Sequence, residues 1–237
     1  MASPIARAKH GVRRALRRSP AIYLWMIRNS RRPFDNSLRR IGPQTALVID
    51  AFPRSANTFA TFAFLSAQLD AVEVAHHFHA PAAIAAAAKY RVPALTIIRE
   101  PVAAIASVMT YRGSAHVWQG IAEYTDYYRA VSRHLPHVFV ASFEAVISDF
   151  GHVSALLNER FDTRFGVFEH TADNVVAVQN EVRRVQDYVL DERPQDRSRY
   201  ADLLPVPAPE REAKKRELIA AIEHPRHAKS LREARRL

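Results

Sequence analysis

The 237-residue chain has no cysteine, which excludes a disulfide framework, a thiolate metal site and a cysteine nucleophile. Its 48% hydrophobic and 24% charged residues fit one α/β domain with appendages, not a disordered chain. The net charge of +10 divides unevenly: residues 1–40 hold 11 Lys/Arg against one acid, residues 41–210 hold 14 against 19, and residues 211–237 hold nine against four.

The basic excess therefore sits at the two ends, and the mildly acidic body offers no continuous basic track, so no nucleic-acid partner is expected. Residues 1–44 read as a basic helical arm. Arg7, Lys9, Arg13, Arg14, Arg17 and Arg18 precede the apolar run Ala21-Ile22-Tyr23-Leu24-Trp25-Met26-Ile27. That run falls far short of the roughly 20 residues a membrane span needs. No small-residue cleavage site follows it, so it does not read as a cleaved signal. A basic segment beside an aromatic-rich patch has the composition of a helix resting on anionic lipid. The plainer alternative docks the patch on the domain and leaves the arginines solvated. The expected location is cytoplasmic, with peripheral membrane contact through residues 1–40.

Residues 45–209 alternate between short apolar strands and helical patterns. The expected strands are Ala46–Asp50, Val72–Phe78, Ala94–Ile98 and His137–Ala141. The expected helices are Asn57–Leu69, Pro81–Lys89, one opening at Pro101, Ser114–Leu135, one around His152–Phe161, and Asn174–Tyr188. This alternation predicts an α/β fold, a three-layer parallel sheet flanked by helices. Asp191–Pro209 reads as loop. Residues 210–237 read as a C-terminal helix, Glu210–Glu223, with a basic tail.

The stretch that organises the chain is the first strand–loop–helix, Ala46–Leu65, with the loop Pro53-Arg54-Ser55-Ala56-Asn57-Thr58. A helix N-terminus after a tight loop points backbone N–H groups at an anion, and an arginine there adds a fork for phosphate or sulfate oxygens. The loop lacks the Gly-x4-Gly-Lys-Ser/Thr of a triphosphate P-loop, so an ATPase or GTPase reading is poor. A second signal is Arg99-Glu100-Pro101 with Ser107 eight residues after the arginine, at the end of the third strand. Ligands of such sheets bind outside the carboxyl ends of the strands, so Arg99 and Arg54 share a rim.

Together these features resemble the sulfotransferase family. Pro53-Arg54-Ser55-Ala56-Asn57-Thr58-Phe59 is similar to its 5′-phosphosulfate loop, usually Pro-Lys/Arg-Ser-Gly-Thr/Asn-Thr-Trp/Leu. Arg99 and Ser107 resemble its 3′-phosphate-binding pair, and Ser142-Phe143-Glu144 resembles its strand-end Tyr-Glu-Asp element. The match spans about residues 45–160. The resemblance implies a P-loop NTPase-like sulfotransferase fold. It also implies transfer of a sulfuryl group from 3′-phosphoadenosine 5′-phosphosulfate to a hydroxyl or amine of a saccharide, glycolipid or small metabolite. It assigns cofactor binding to Arg54, Ser55, Ala56, Asn57, Thr58, Phe59, Arg99 and Ser107. Because a fixed cation meets the charge on the leaving phosphate, no metal is required. Ala56 departs from the usual glycine and is strained if its φ is positive.

A general base is expected from His76-His77-Phe78-His79 at the end of the second strand. Strand alternation would put His77 and His79 on one face and His76 opposite. His79-Ala80-Pro81 reproduces the His-x-Pro portion of the family's Lys-Thr-His-x-Pro, and His77 is the other candidate. Arg54, His77 and His79 are thus the expected catalytic residues. Zinc or nickel binding by the cluster, or a purely structural cap, are the alternatives. Glu144 is expected to cap a helix or orient an arginine. Trp118, Tyr124, Tyr127 and Tyr128 either line an acceptor groove or belong to the core. Arg193, Arg197, Arg199 and Arg211 are candidates for the 3′-phosphate. The rival function is a non-catalytic nucleotide- or polyanion-binding protein that keeps the fold.

Overall fold

The computed structural model describes residues 41–113, 116–192 and 209–237, together with residues 19, 21, 22 and 25. Strand β1 is Leu47–Ile49, three apolar residues buried on both faces. Helix α1 (Asn57–Ser66) follows, then β2 (Val74–His76), α2 (Pro81–Tyr90), β3 (Ala94–Ile98), α3 (Pro101–Arg112) and α4 (Val117–Val131). A 3-10 helix over Ser132–His137 leads into β4 (Phe139–Ser142), α5 (Phe143–Ser148), α6 (Phe150–Phe161) and α7 (Ala172–Glu192). Helices α8 (Pro209–Glu223) and α9 (Ala228–Arg235) complete the described chain.

The four strands lie in the order β2-β1-β3-β4, and every pairing is parallel. Period-two alternation divides the sheet between two cores. Val48, Ala75 and Ala94 face the side of α2, α3, α4, α8 and α9. Leu47, Ile49, Leu95, Ile97 and Ala141 face α1, α5, α6 and α7. This is the expected α/β class, a parallel sheet between two helical layers. The small side chains of α2, among them Ala82, Ala83 and Ala87, let that helix lie close to the sheet. The chain leaves β1 to one side for β2 and returns to the other side for β3. The crevice between the carboxyl ends of β1 and β3 is therefore a topological switch point.

Several boundaries differ from expectation. Helix α1 ends at Ser66, and Leu69 is fully exposed instead of extending its apolar face. Strand β2 is only Val74–His76, because His77 and His79 both adopt left-handed conformations and bend the chain out of the strand. The aromatic helix stops at Val131, and Pro136 lies inside the 3-10 turn that follows. Helix α9 lies where the sequence reads as a basic tail, and α7 is longer than its apolar pattern. The loop expected over 191–209 lies mostly outside the described residues, as do most of the arm and Arg193, Arg197 and Arg199; residues 191 and 192 belong to α7. No helix among the described residues is long and apolar enough to cross a membrane.

Candidate functional site

The loop from Asp50 to Ala56 links β1 to α1 without a glycine, yet Arg54 (φ 67°) and Ala56 (φ 65°) are both left-handed. Each such residue costs roughly 1–2 kcal/mol, so the surroundings must hold the loop in place. Arg99 does so in part, donating from Nη1 to the Arg54 carbonyl at 2.7 Å. Phe52 is buried against the edges of Tyr124 and Tyr127, at 5.2 and 6.4 Å between ring centroids.

The first turn of α1 has no side-chain cap and no acidic residue. Helices α3, α5 and α6 differ: Glu100, Ser142 and Asp149 accept from their first-turn N–H groups. The open N–H groups of α1 therefore keep their affinity for negative charge. Two buried polar atoms at this turn, Ser55 Oγ and Asn57 Oδ1, have no hydrogen-bond partner among the described residues. A buried hydroxyl without a partner costs free energy that an incoming ligand oxygen recovers. Asn57 opens the helix with its amide nitrogen 3.5 Å from the His79 ring, Thr58 is half-buried, and Phe59 packs edge-on against Phe150, Phe168 and His170.

Arg54 turns towards α3. Its Nε donates to Ser107 Oγ at 3.4 Å, and its guanidinium lies 5.4 Å from the centre of the Tyr111 ring. Arg99 stacks over Phe143 at 4.1 Å. Burial pulls the Arg99 guanidinium below its ordinary pKa and the Arg54 charge adds to this, while Glu144 and Glu100 partly offset it. Two like charges gathered in a half-buried corner are relieved by an anion between them. Glu144 does not cap α5, since Ser142 Oγ accepts the Ala145 N–H; its influence is the electrostatic one on Arg99.

The three histidines gather on the same rim, not on opposite faces of a strand. His77 (φ 59°) and His79 (φ 50°) break the alternation, so His77 meets both His76 and His79, with ring centroids 4.7 and 5.7 Å apart. His79 Nδ1 lies 3.0 Å from the Ala51 carbonyl. The Ala51 carbonyl only accepts, and its contact is shorter than the 3.5 Å one from the Asn57 amide nitrogen to the same Nδ1. Nδ1 therefore carries the hydrogen, and Nε2 of the neutral ring carries the lone pair. His77 Nε2 lies 2.9 Å from Thr58 Oγ1 and its Nδ1 lies 2.5 Å from His76 Nδ1. No group of three or more His, Asp or Glu among the described residues is arranged to hold a metal ion.

Sequence reasoning missed Asp50, the fully buried residue beneath this rim. Its carboxylate accepts the His79 and Ala80 N–H groups at 2.7 and 3.0 Å and the Tyr127 hydroxyl at 3.0 Å. A carboxylate directly after a buried apolar strand was the available signal. Tyr124 and Tyr128 donate to the carbonyls of Arg99 and Ile97, at 2.6 and 2.7 Å. All three tyrosines are therefore core pillars under the strand ends, whereas Trp118 is 36% exposed on the outside of α4. Arg211 is exposed on α8.

Among solved structures the chain is similar to mouse sulfotransferase SULT7A1 complexed with PAP, at 11% identity, over 86% of this chain and 94% of that one, with a TM-score of 0.44. No family model matches the chain, and no curated protein does.

Proposed function

We propose that this protein is a sulfotransferase that takes 3′-phosphoadenosine 5′-phosphosulfate as donor and a hydroxyl or amine of a saccharide, glycolipid or small metabolite as acceptor. What supports the reading is the meeting of two motifs far apart in sequence at one switch point. Arg54 of the phosphosulfate-like loop donates to Ser107, and Arg99 donates to Arg54, so the residues that resemble the 5′ and 3′ anion sites form one bonded corner.

The buried Ser55 hydroxyl at the α1 N-terminus, which can donate, fits an anionic ligand. The donor, when bound, supplies an activated sulfuryl group whose transfer leaves negative charge on the 5′-phosphate. The first-turn N–H groups of α1, the Thr58 hydroxyl and the Arg54 guanidinium would hold that phosphate, while Arg99 and Ser107 would hold the 3′-phosphate. Of the two candidate bases, His79 has its ring set by Ala51 so that Nε2 is the basic nitrogen, and it takes the acceptor's proton there.

Titration with 3′-phosphoadenosine 5′-phosphate followed by a sulfate-transfer assay over an acceptor panel tests this. Binding with turnover is the expected result. Binding without turnover makes the protein a nucleotide binder, and no binding sinks the reading.

The basic arm gives the enzyme a place to work. Its 11 Lys/Arg against one acid flank a patch in which Ile22 and Trp25 are 46% and 65% exposed, the composition that rests on anionic lipid. Co-sedimentation with phosphatidylserine vesicles should be lost when the chain starts at Gly42; equal binding by both forms would refute membrane contact.

A further inference from the structure

We propose that His77 is a positioning residue for the Thr58 hydroxyl. In this proposal the His76–His77 pair sets whether that hydroxyl offers its hydrogen or its lone pairs to an anion at the α1 N-terminus. This deepens the reading of that N-terminus as the phosphosulfate cradle and rests on it.

Thr58 Oγ1, His77 and His76 form one hydrogen-bonded chain through contacts of 2.9 and 2.5 Å. A hydroxyl has one hydrogen, so it cannot donate to His77 and to an anion at once. In one state His77 Nε2 carries a hydrogen and donates to Oγ1. The hydroxyl hydrogen then turns to the cradle. In the other state Nε2 carries the lone pair, the hydroxyl donates to it, and the cradle meets oxygen lone pairs. The first state arises when His76 donates from Nδ1 to His77 Nδ1, or when the pair holds an additional proton. The second arises when His77 donates from Nδ1 to His76. Only the first is complementary to negative charge. An anion at the helix N-terminus therefore favours the protonated pair, and protonation of the pair favours the anion by the same factor.

The backbone brings this contact about. At φ 59° His77 is left-handed, a conformation in which histidine is enriched among non-glycine residues. Continued extension would carry its ring to the sheet face opposite His76. The bend instead places the ring against both His76 and the first turn of α1.

The ionisable neighbours on its own segment are His76 and His79. In the facing loop they are Asp50, which is held by His79, Ala80 and Tyr127, and Arg54, which is turned to Ser107 and Tyr111. The first turns of α1 and α2 contribute no acidic residue.

The test is calorimetric titration of 3′-phosphoadenosine 5′-phosphate into the full chain at pH 6, 7 and 8, in buffers of different ionisation enthalpy. Wild type, His77→Gln and Thr58→Val are compared, so that the nucleotide's own titration cancels. From pH 6 to 8 the wild type should lose about tenfold more affinity than His77→Gln, the scale of one hydrogen bond to a charged group. It should also take up protons on binding that the variant does not. Thr58→Val should follow the His77→Gln slope, since it has no hydroxyl to orient, and its helical backbone carries the comparison if His77→Gln folds poorly. A merely structural His77 would shift affinity equally at every pH. Parallel pH curves for all three proteins overturn this inference and leave the cradle reading intact, whereas a wild type that binds at no pH overturns both.

Discussion

The Arg99 guanidinium donates to the main-chain carbonyl of Arg54, 45 residues earlier, at 2.7 Å. One cation thus fixes the backbone of another, and it does so while stacked over Phe143. A lysine at position 99 keeps the charge but gives up the planar fork and the stacking. Arg99→Lys should therefore weaken 3′-phosphoadenosine 5′-phosphate binding by about 10- to 100-fold, the worth of a hydrogen bond to a charged group. Stability should fall by no more than about 1.5–3 kcal/mol, the worth of the charge-assisted bond that holds the left-handed Arg54 carbonyl. Calorimetric titration beside thermal unfolding checks both halves, and unchanged affinity would refute the role given to Arg99.

Ala56 occupies a left-handed cap that favours glycine (φ 65°, ψ 16°). Relief of about 1–2 kcal/mol of strain outweighs the roughly 0.5–1 kcal/mol of backbone entropy that glycine loses on folding. Ala56→Gly should consequently stabilise the chain by up to about 1 kcal/mol, whereas β-branched Ala56→Val should destabilise it. Urea denaturation measures the two. A glycine variant less stable than the wild type would show that the loop carries no such strain.

Local pattern made some of this molecule legible and left the rest hidden. Strand β3 and helix α3 were readable because Pro93 and Pro101 punctuate an apolar run and a helical one. The pairing of Arg54 with Arg99 followed from parallel topology, which brings successive strand ends to one rim. The bend after His76 was not readable. It depends on the Asp50 carboxylate taking the His79 and Ala80 N–H groups from 29 and 30 residues away, and no window over residues 72–81 contains that information. The tyrosines of α4 were ambiguous for the same reason: a groove and a core share one helical spacing. Their partners at Arg99, Asp50 and Ile97 belong to other elements.

Those tyrosines predict an alkaline signature. Burial raises Tyr124, Tyr127 and Tyr128 well above the ordinary phenol pKa, with further upward pressure from Glu100, Asp50 and Tyr124 respectively. Between pH 10 and those raised values the unfolded chain sheds protons that the native one keeps. Native stability is therefore intact below pH 10 and falls above it by about 1.4 kcal/mol per pH unit for each such tyrosine. Absorbance at 295 nm should show no more than five of the eight tyrosines ionising in the native protein. The other three should appear only with unfolding, and eight ionising together near pH 10 in folded protein would contradict the burial.

Asp50 accepts three hydrogen bonds in a fully buried position, two from the main chain of the histidine turn and one from Tyr127. Removing one donor differs physically from removing the acceptor. Tyr127→Phe takes one charge-assisted bond and leaves the carboxylate with two, a loss of about 1.5–3 kcal/mol. Asp50→Ala leaves two N–H groups and a phenol without their acceptor, each at about 1–3 kcal/mol, so the larger loss should be several kcal/mol. Asp50→Asn should fall between them, because one amide oxygen replaces two carboxylate oxygens and the amide adds a donor where donors already converge. Denaturant unfolding of the three variants should give the order Tyr127→Phe, Asp50→Asn, Asp50→Ala in increasing destabilisation. If Asp50→Ala proved no worse than Tyr127→Phe, the carboxylate would not be what bends the chain after β2, and the placement of His79 would need another cause.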